Sequence, residues 1–333
     1  MLAAHGGITD RRLDSAGDVN QSAVWVSAFT LTIWPAGYYD TSAAGGIAFA
    51  IHAAVLVPIL GLADPRWRSR VERRFPTSPV GGALIWVALL GLVAGMATPS
   101  QRTSSSFVLL WACYLALPIV LFTLTSPGAR LVLAAAALLI PFGMIPMIRV
   151  AAPGRPTLNF GVLVVVDLAL MLLLLYRRDN DVVYRLWVST REAVHAATTF
   201  LAYAMVAAPL GFLLGFLRPG LGEHTVGAAV ARLVQLFFLV ALPEELAFRG
   251  LLQNGLERLV GSARGLIIAA IIFGLSHIGH APAPNWRYAL LATVAGLAYG
   301  WVFQRTRSIT AAALPHVLVD WTWFVFLAGA VGK

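Results

Sequence analysis

Two adjacent glutamates stand in an otherwise apolar stretch, and an arginine follows them at helical spacing. Glu244 and Glu245 are flanked by runs of Leu, Val, Phe and Ala, and Arg249 comes four residues after Glu245. An ionisable side chain at the centre of a bilayer costs about 3 kcal/mol, so such a cluster indicates a functional site. Adjacent helix positions are about 100° apart, so the two carboxylates serve different faces. We expect Glu245 to pair with Arg249, which leaves Glu244 free to act as a general base.

Two histidines and an aspartate on later apolar segments supply the remaining groups of a hydrolase. His277 follows Phe273 by four residues, and His316 precedes Asp320 by four, so the members of each pair share a helix face. The Asp320 carboxylate can orient the His316 imidazole or face the same cavity. A rise of about 1.5 Å per residue places these groups and Glu244 in the inner to middle part of the membrane. The four groups are therefore predicted to line one cavity.

The elements that position these residues are predicted to be membrane-spanning helices. Hydrophobic residues make up 59% of the chain and charged residues 12%, whereas soluble proteins carry about 25% charged residues. Because backbone in lipid must satisfy its own hydrogen bonds, we predict an all-α polytopic transmembrane helical bundle. Runs of apolar residues indicate about eleven spans. They cover residues 23–38, 44–63, 80–97, 107–125, 131–148, 160–176, 193–216, 225–248, 265–281, 288–304 and 311–330.

The basic residues indicate orientation rather than nucleic-acid binding. The formal net charge is +9, but the arginines lie in short segments between apolar runs, mostly on the side of the N-terminus. This bias predicts a cytoplasmic N-terminus in a multi-pass protein. The expected location is a bacterial inner or plasma membrane. Residues 1–20 show no apolar core before a cleavage site, so no cleaved signal peptide is expected. The single cysteine excludes an intrachain disulfide framework.

An arginine-rich segment at 176–192 divides the chain into two predicted regions. Residues 1–190 form a six-span N-terminal membrane region of unknown role, with few ionisable residues in its spans. Residues 191–333 form the catalytic core, since the last five spans carry all the groups described above. The expected partners are the lipid bilayer and a membrane-associated protein or peptide substrate.

The order of three motifs resembles a known family. Glu-Glu-x-x-x-Arg at 244–249, Phe-x-x-x-His at 273–277 and His-x-x-x-Asp at 316–320 fall in that order on three separate predicted spans. This arrangement is similar to that of the CPBP family, which comprises the CAAX prenyl endopeptidases and bacteriocin-processing proteins and is also called the Abi family. The resemblance covers roughly residues 195–330. It implies an intramembrane endopeptidase that hydrolyses a peptide bond of a membrane-associated protein.

The resemblance also implies a role for each residue. Glu244 would activate water, and His277 would help to hold that water. His316 and Asp320 would stabilise the oxyanion of the tetrahedral intermediate. Glu245 and Arg249 would form a structural ion pair at the site. Prenyl-protein-processing members commonly have Asn where this chain has Asp320, and an ionised carboxylate repels an oxyanion. Asp320 is therefore protonated, orients His316, or ligates a metal.

A metal cofactor remains an alternative in this interpretation. Glu244, His277 and His316 make a His₂Glu set of the kind that binds catalytic zinc with one open position. The sequence contains no His-Glu-x-x-His motif, in which two imidazoles are pre-arranged on one helix. The family is described both as metalloproteases and as metal-independent glutamate proteases. We favour a glutamate-activated water without a cofactor and keep zinc as the alternative.

Two other functions use the same residues. In a proton-coupled transporter, the glutamate, histidines and aspartate would form a relay, but that reading predicts internal repeats, and none is found in this sequence. A non-catalytic immunity or scaffold protein would keep the fold without the chemistry. Asp167 and Arg232 also lie in predicted spans, and they can pair across helices in a structural role.

Overall fold

The protein folds as a bundle of helices. A computed structural model describes residues 39, 42–97, 104–123, 148–150, 158–178, 181–220 and 225–327. The helices of this part are α1 (Ala43–Gly61), α2 (Pro65–Arg74), α3 (Pro79–Ala97), α4 (Ser105–Thr123), α5 (Phe160–Tyr176), α6 (Thr190–Leu213), α7 (Val226–Val260), α8 (Ser262–Leu275), α9 (Trp286–Thr306) and α10 (Ile309–Phe326). One short antiparallel hairpin, β1 (Arg149–Val150) and β2 (Leu158–Asn159), pairs Arg149 with Asn159.

The helices confirm an all-α membrane protein. Within the described residues, five helices are long and apolar enough to cross a membrane, namely α1, α3, α6, α7 and α10. Shorter apolar helices include α5 and α8. Every predicted span that falls on described residues contains a helix. The predicted spans 23–38 and 131–148 lie outside the described residues apart from residue 148, so the total of eleven stays a prediction.

Helix ends follow from polar side chains placed at the right offsets. Ser189 and Glu192 form a reciprocal capping box at the start of α6, in which each side chain bonds the backbone N–H of the other. The hydroxyl of Ser308 accepts from the backbone N–H of Ala311 and begins α10. At the end of α7, Gly261 takes a φ of 88°, a value that side-chain-bearing residues rarely adopt. These local signals fix where the site-bearing helices begin and end.

Helix α7 is longer and less regular than the sequence predicts. It runs to Val260, 12 residues beyond the predicted end at 248. Residues 249–260 contain no proline, and the helix continues through their two glycines, Gly250 and Gly255. Wider π-helical turns occupy Phe237–Ala241 and Leu246–Gln253. The ring of Pro243 would clash with the carbonyl four residues earlier in a regular helix, and a wider turn accommodates it. The short α-helical stretch Leu242–Glu245 between these turns carries both glutamates.

The segment before α6 is held against both parts of the chain. The backbone N–H of Val183 donates to the Arg307 carbonyl (2.9 Å), and the Val183 carbonyl accepts from Ile309 (3.1 Å). The Tyr184 hydroxyl donates to the carbonyl of Ile59 in α1 (2.9 Å), and burial raises the pKa of this phenol, which keeps it a donor. The segment therefore fixes the end of α1 relative to the α9–α10 connection.

One hydrophobic core extends across the predicted boundary at residue 190. It includes Val55 of α1 and Leu172 of α5 together with Leu246 of α7 and Phe273 of α8. A Cβ atom at Gly250 would lie 3.2 Å from Leu173 of α5, so α5 and α7 pack closely there. The division into regions 1–190 and 191–333 stays a prediction.

The predicted pairing of Asp167 with Arg232 is wrong. The Arg232 guanidinium donates to the side chain of Gln235 (3.1 Å) and lies over the ring of Phe324, 5.2 Å from its centroid. The first part of α7, which carries Arg232, packs on α10, whereas Asp167 is fully buried within α5. Helical periodicity does not reveal which helices are neighbours, so the partner of Arg232 could not be predicted from the sequence.

Candidate active site

A chain of three buried polar side chains links α7 to α10. The Arg249 Nε–H donates to Glu245 Oε2 at 2.7 Å, and both side chains are completely buried. The other oxygen of Glu245 accepts a hydrogen bond from Nδ1 of His316 at 2.9 Å. Glu245 therefore neutralises Arg249 and at the same time fixes the ring of His316. A carboxylate bonded to Nδ1 places the proton on that nitrogen and turns Nε2 toward the rest of the site.

Two further carboxyl groups face Nε2 of His316. Glu244 Oε2 lies 3.8 Å from this nitrogen, and Asp320 Oδ2 lies 3.6 Å from it. Both separations exceed a direct hydrogen bond and match the spacing of groups that share a water or a substrate atom. Glu244 Oε2 is buried and has no hydrogen-bond partner among the described residues, although the side chain keeps 22% exposure. An unpartnered carboxylate oxygen beside an oriented imidazole is a place for a reacting group.

Aromatic rings form the walls around this cluster. The ring of Tyr299 in α9 stacks on His316, with centroids 4.6 Å apart and planes 14° apart. Phe273 in α8 lies edge-on to the His316 ring at 5.7 Å and under the guanidinium of Arg249 at 5.1 Å. Cation–π contact with a ring face compensates part of the cost of burying the arginine. The rings also hold the imidazole in one plane, so its Nε2 has a fixed direction.

His277 lies just beyond the end of α8 rather than inside a helix. The predicted span 265–281 extends six residues past the end of the helix at Leu275. The helix ends because the Ser276 hydroxyl (2.7 Å) and His277 Nδ1 (2.8 Å) both bond the carbonyl of Phe273, in place of a backbone donor in the next turn. This bond assigns the proton to Nδ1 and leaves Nε2 as an acceptor. The ring contacts Tyr288 edge-on at 4.8 Å.

An apolar cavity of about 110 Å³ lies between α6, α8, α9 and α10. His277, His316 and Asp320 are the histidines and the carboxylate of its lining. Glu244 belongs to α7 and does not line the cavity. Its carboxylate lies beside His316, which does line it. The prediction of one cavity lined by all four residues therefore holds for three of them.

Small and aromatic side chains shape this cavity. Ala204 and Ala207 on α6 and Ala292 and Ala295 on α9 leave space that larger residues would fill. Rings of tyrosine, phenylalanine and tryptophan close the remaining sides, including Tyr203, Tyr288, Phe216 and Trp323. Such a lining suits an apolar segment of a ligand, with the few polar groups collected at one end.

Of the two roles expected for Asp320, the structure shows the shared cavity with His316, and it adds residues to the site. Glu245, rather than Asp320, holds Nδ1 of His316. Tyr299 and Tyr288 contact the two histidines and were not identified from the sequence. In the sequence, each of these tyrosines is a polar aromatic residue among small residues on an apolar helix. That pattern is common where membrane helices pack, so it does not identify a site residue.

The arrangement gives the zinc alternative no geometric support. Within the part of the chain that the structure describes, no group of three or more His, Cys, Asp and Glu side chains is placed to hold a metal ion. The Nδ1 atoms of His277 and His316 are engaged by a carbonyl and by Glu245, respectively. The set Glu244, His277 and His316 therefore remains a sequence-based prediction as a zinc site.

The comparison with protein families points to a membrane protease. Residues 226–322 match the model of a family described as type II CAAX prenyl endopeptidase Rce1-like. The matched residues include every member of the polar cluster, and the match confirms the resemblance indicated by the three motifs. No curated protein and no solved structure matches this chain.

Proposed function

We propose that this protein is an intramembrane endopeptidase that cleaves a membrane-associated protein with a water activated by Glu244. The observation that carries the proposal is the unpartnered Oε2 of Glu244, 3.8 Å from an imidazole nitrogen whose ring Glu245 holds in place. The family match over residues 226–322 supports a peptidase of this class. The catalytic type and the role of each residue are part of the proposal.

In the first step, water is deprotonated and adds to the peptide carbonyl. Glu244 takes one proton from the water, and the water oxygen forms a bond to the carbonyl carbon. The electron pair of the C=O bond moves to its oxygen and creates an oxyanion. The Nε2–H of protonated His316 donates to that oxyanion, because this nitrogen faces the cavity and Glu245 prevents the ring from turning.

In the second step, the intermediate collapses and the peptide bond breaks. Glu244 returns its proton to the leaving nitrogen, so that this nitrogen departs as an amine and the carbonyl carbon ends as a carboxyl group. The sum of both steps is the addition of one water to one peptide bond. Glu244 is regenerated without a cofactor. A glutamate that accepts and then returns one proton needs no other general acid.

His277 and Asp320 assist from the cavity side. The Nε2 atom of His277 accepts a hydrogen bond from the attacking water, since Nδ1 is already bonded to the carbonyl of Phe273. Asp320, 3.6 Å from Nε2 of His316, balances the charge of the imidazolium before the substrate arrives. The scissile bond must be extended to reach these groups, because a helix shields its own carbonyls with hydrogen bonds.

The cavity indicates what part of the substrate enters the bundle. Its lining of alanines and aromatic rings fits an apolar segment, whereas a charged segment would lose hydration without gaining partners. We place the protein as a multi-pass membrane protein with its N-terminus in the cytoplasm, following the arginine bias of its loops.

The test is a comparison of protein termini in cells that express wild type, Glu244→Gln or His316→Ala at equal levels. Mass spectrometry of N- and C-termini in the membrane fraction should show specific new termini with wild type alone. Glu72→Gln is the matched control, because it removes a carboxylate far along the chain in α2 and should cleave as wild type does. Identical termini in wild type and Glu244→Gln cells would reject the protease and favour the relay of a transporter.

A further inference from the structure

A basic helix connects two membrane-spanning helices on one surface of the protein. Helices α1 and α3 are both long and apolar enough to cross the membrane, so α2 between them lies at one membrane surface. Its ten residues contain five arginines and one glutamate, and Glu72 already pairs with Arg68 at 3.6 Å. The arginine bias of the loops places this surface on the N-terminal side. This helix has no part in the site described above.

Contacts at both ends hold α2 in a fixed position. The ring of Trp67 lies so close to α1 that a Cβ atom at Gly61 would be 2.7 Å from it. At the other end, the Arg178 guanidinium donates to the carbonyls of Glu72 (2.6 Å) and Phe75 (3.2 Å). A helix fixed in this way presents its free side chains in a defined arrangement, unlike a mobile basic loop.

A groove of about 370 Å³ runs between α2 and the beginning of α3. Arg70 and Arg74 stand on one wall, four residues apart and therefore on one helix face. Within the described part of the chain, no carboxylate pairs with either arginine. Trp67 and Leu84 supply apolar surface to the same groove. Two free guanidinium groups beside apolar surface match a phosphodiester attached to hydrocarbon.

The apolar side of the groove continues into the membrane. Leu84 lies about 8 Å along α3 from its first residue, at a rise of about 1.5 Å per residue. Val80, Leu84 and Val87 share one face of α3 and are 61%, 51% and 61% exposed. This stripe starts at the groove and runs toward the bilayer centre. An acyl chain can lie along it while its phosphate stays between the arginines at the surface.

We propose that the groove bounded by Trp67, Arg70, Arg74 and Leu84 binds one anionic phospholipid, with its phosphodiester on the two arginines and an acyl chain on the Val80–Leu84–Val87 face. Charge complementarity selects the occupant, because the excess of positive charge on α2 favours a lipid of net negative charge over a zwitterionic one. The apolar stripe selects a lipid over a free phosphate. The site is independent of the proposed peptidase function.

The test measures lipid binding to the purified full-length protein by native mass spectrometry in detergent. Phosphatidylglycerol and phosphatidylcholine with the same acyl chains are titrated against wild type, Arg70→Gln/Arg74→Gln and Arg66→Gln/Arg73→Gln. The last variant is the matched control, since it removes two exposed arginines of the same helix that do not line the groove. An arginine that contacts the bound phosphodiester contributes about fivefold in affinity, so the groove variant, which loses two such contacts, should bind phosphatidylglycerol about twentyfold more weakly. The control should stay within threefold, and phosphatidylcholine binding should not change.

A second measurement locates the acyl chain and does not depend on the arginine variants. Brominated acyl chains quench the fluorescence of a tryptophan that they contact. Phosphatidylglycerol with brominated chains should therefore quench the wild-type protein, and Trp67→Phe should lose that part of the quenching. Equal loss of binding in both double variants would reduce the site to diffuse surface charge and overturn the proposal. Displacement of the lipid by sn-glycerol 3-phosphate at equal concentration would mean a free-phosphate site, and preferential binding of a hexaglutamate peptide would mean an acidic protein segment. Either result would overturn the lipid assignment.

Discussion

The two adjacent glutamates should respond in opposite ways to the same substitution. Glu245→Gln removes the carboxylate that lies between Arg249 and His316, at 2.7 and 2.9 Å. Glu244→Gln removes a carboxylate that has no hydrogen-bond partner among the described residues. We expect Glu245→Gln to lower the free energy of unfolding and Glu244→Gln to abolish peptide cleavage while the fold stays intact.

The magnitude follows from burial. Both Arg249 and Glu245 are completely buried, so Glu245→Gln leaves a buried cation without a counter-charge. Removing one partner of such a pair costs about 3–5 kcal/mol, because the remaining charge stays desolvated. For a chain of this size, that loss corresponds to a fall in melting temperature of about 5–10 °C. Glu244 is partly exposed and unpaired, so Glu244→Gln should change the free energy of unfolding by less than about 0.5 kcal/mol.

The assay is thermal unfolding of both variants in lipid nanodiscs, followed by the intrinsic fluorescence of the protein and paired with cleavage measurements. Glu245→Met/Arg249→Met serves as a further control, since it removes both charges and should recover part of the lost stability. It should not recover cleavage, because His316 no longer has a bond at Nδ1. Equal melting temperatures for Glu244→Gln and Glu245→Gln would refute the assignment of Glu245 as the buried counter-charge.

Four further outcomes are expected. Gly274→Ala should lower the melting temperature by several degrees in thermal unfolding, since its Cβ would lie 1.8 Å from the Thr293 hydroxyl oxygen. Gly227→Ala is the control and should leave the melting temperature unchanged, because its Cβ would meet nothing within 4 Å. Tyr299→Phe should keep kcat within about threefold in a peptide cleavage assay, while Tyr299→Ala should lower it by about tenfold or more, because the stacked ring holds His316. Asp320→Asn should keep kcat within about tenfold, since the amide loses the counter-charge to His316 but gains an N–H that can donate to the oxyanion, and Asp320→Leu should abolish cleavage. Treatment with 1,10-phenanthroline should leave the cleavage rate unchanged, because side chains supply both the base and the oxyanion donor; a rate restored only by added zinc would contradict this.

The sequence predicts where the helices lie and which residues belong to the site. It predicts less well which of these residues contact each other. Apolar runs locate helices because lipid allows only internally satisfied backbone, and the polar residues stand out against that background. The i, i+4 spacing also identifies Glu245 and Arg249 as neighbours, because both lie on one helix. Contacts within a helix are thus readable from spacing alone.

Contacts between helices depend on packing that spacing does not encode. The bond from His316 to Glu245 joins residues 71 positions apart, on two helices whose packing brings them together. The early end of α8 depends on two side chains that bond the same carbonyl, a local competition that hydropathy does not register. Tyr299 stacks on His316 because α9 packs against α10, and its sequence context resembles that of an ordinary packing residue.

The most direct test of the central proposal is single-turnover cleavage by the purified protein in nanodiscs, carried out in ¹⁸O-labelled water with a substrate identified from the altered termini. Wild type should place one ¹⁸O atom in the new C-terminal carboxyl group. Because a general base contributes about 10²–10⁴ in rate, Glu244→Gln should cleave at least about a hundredfold more slowly at an unchanged melting temperature. Cleavage by folded Glu244→Gln at the wild-type rate would contradict the account.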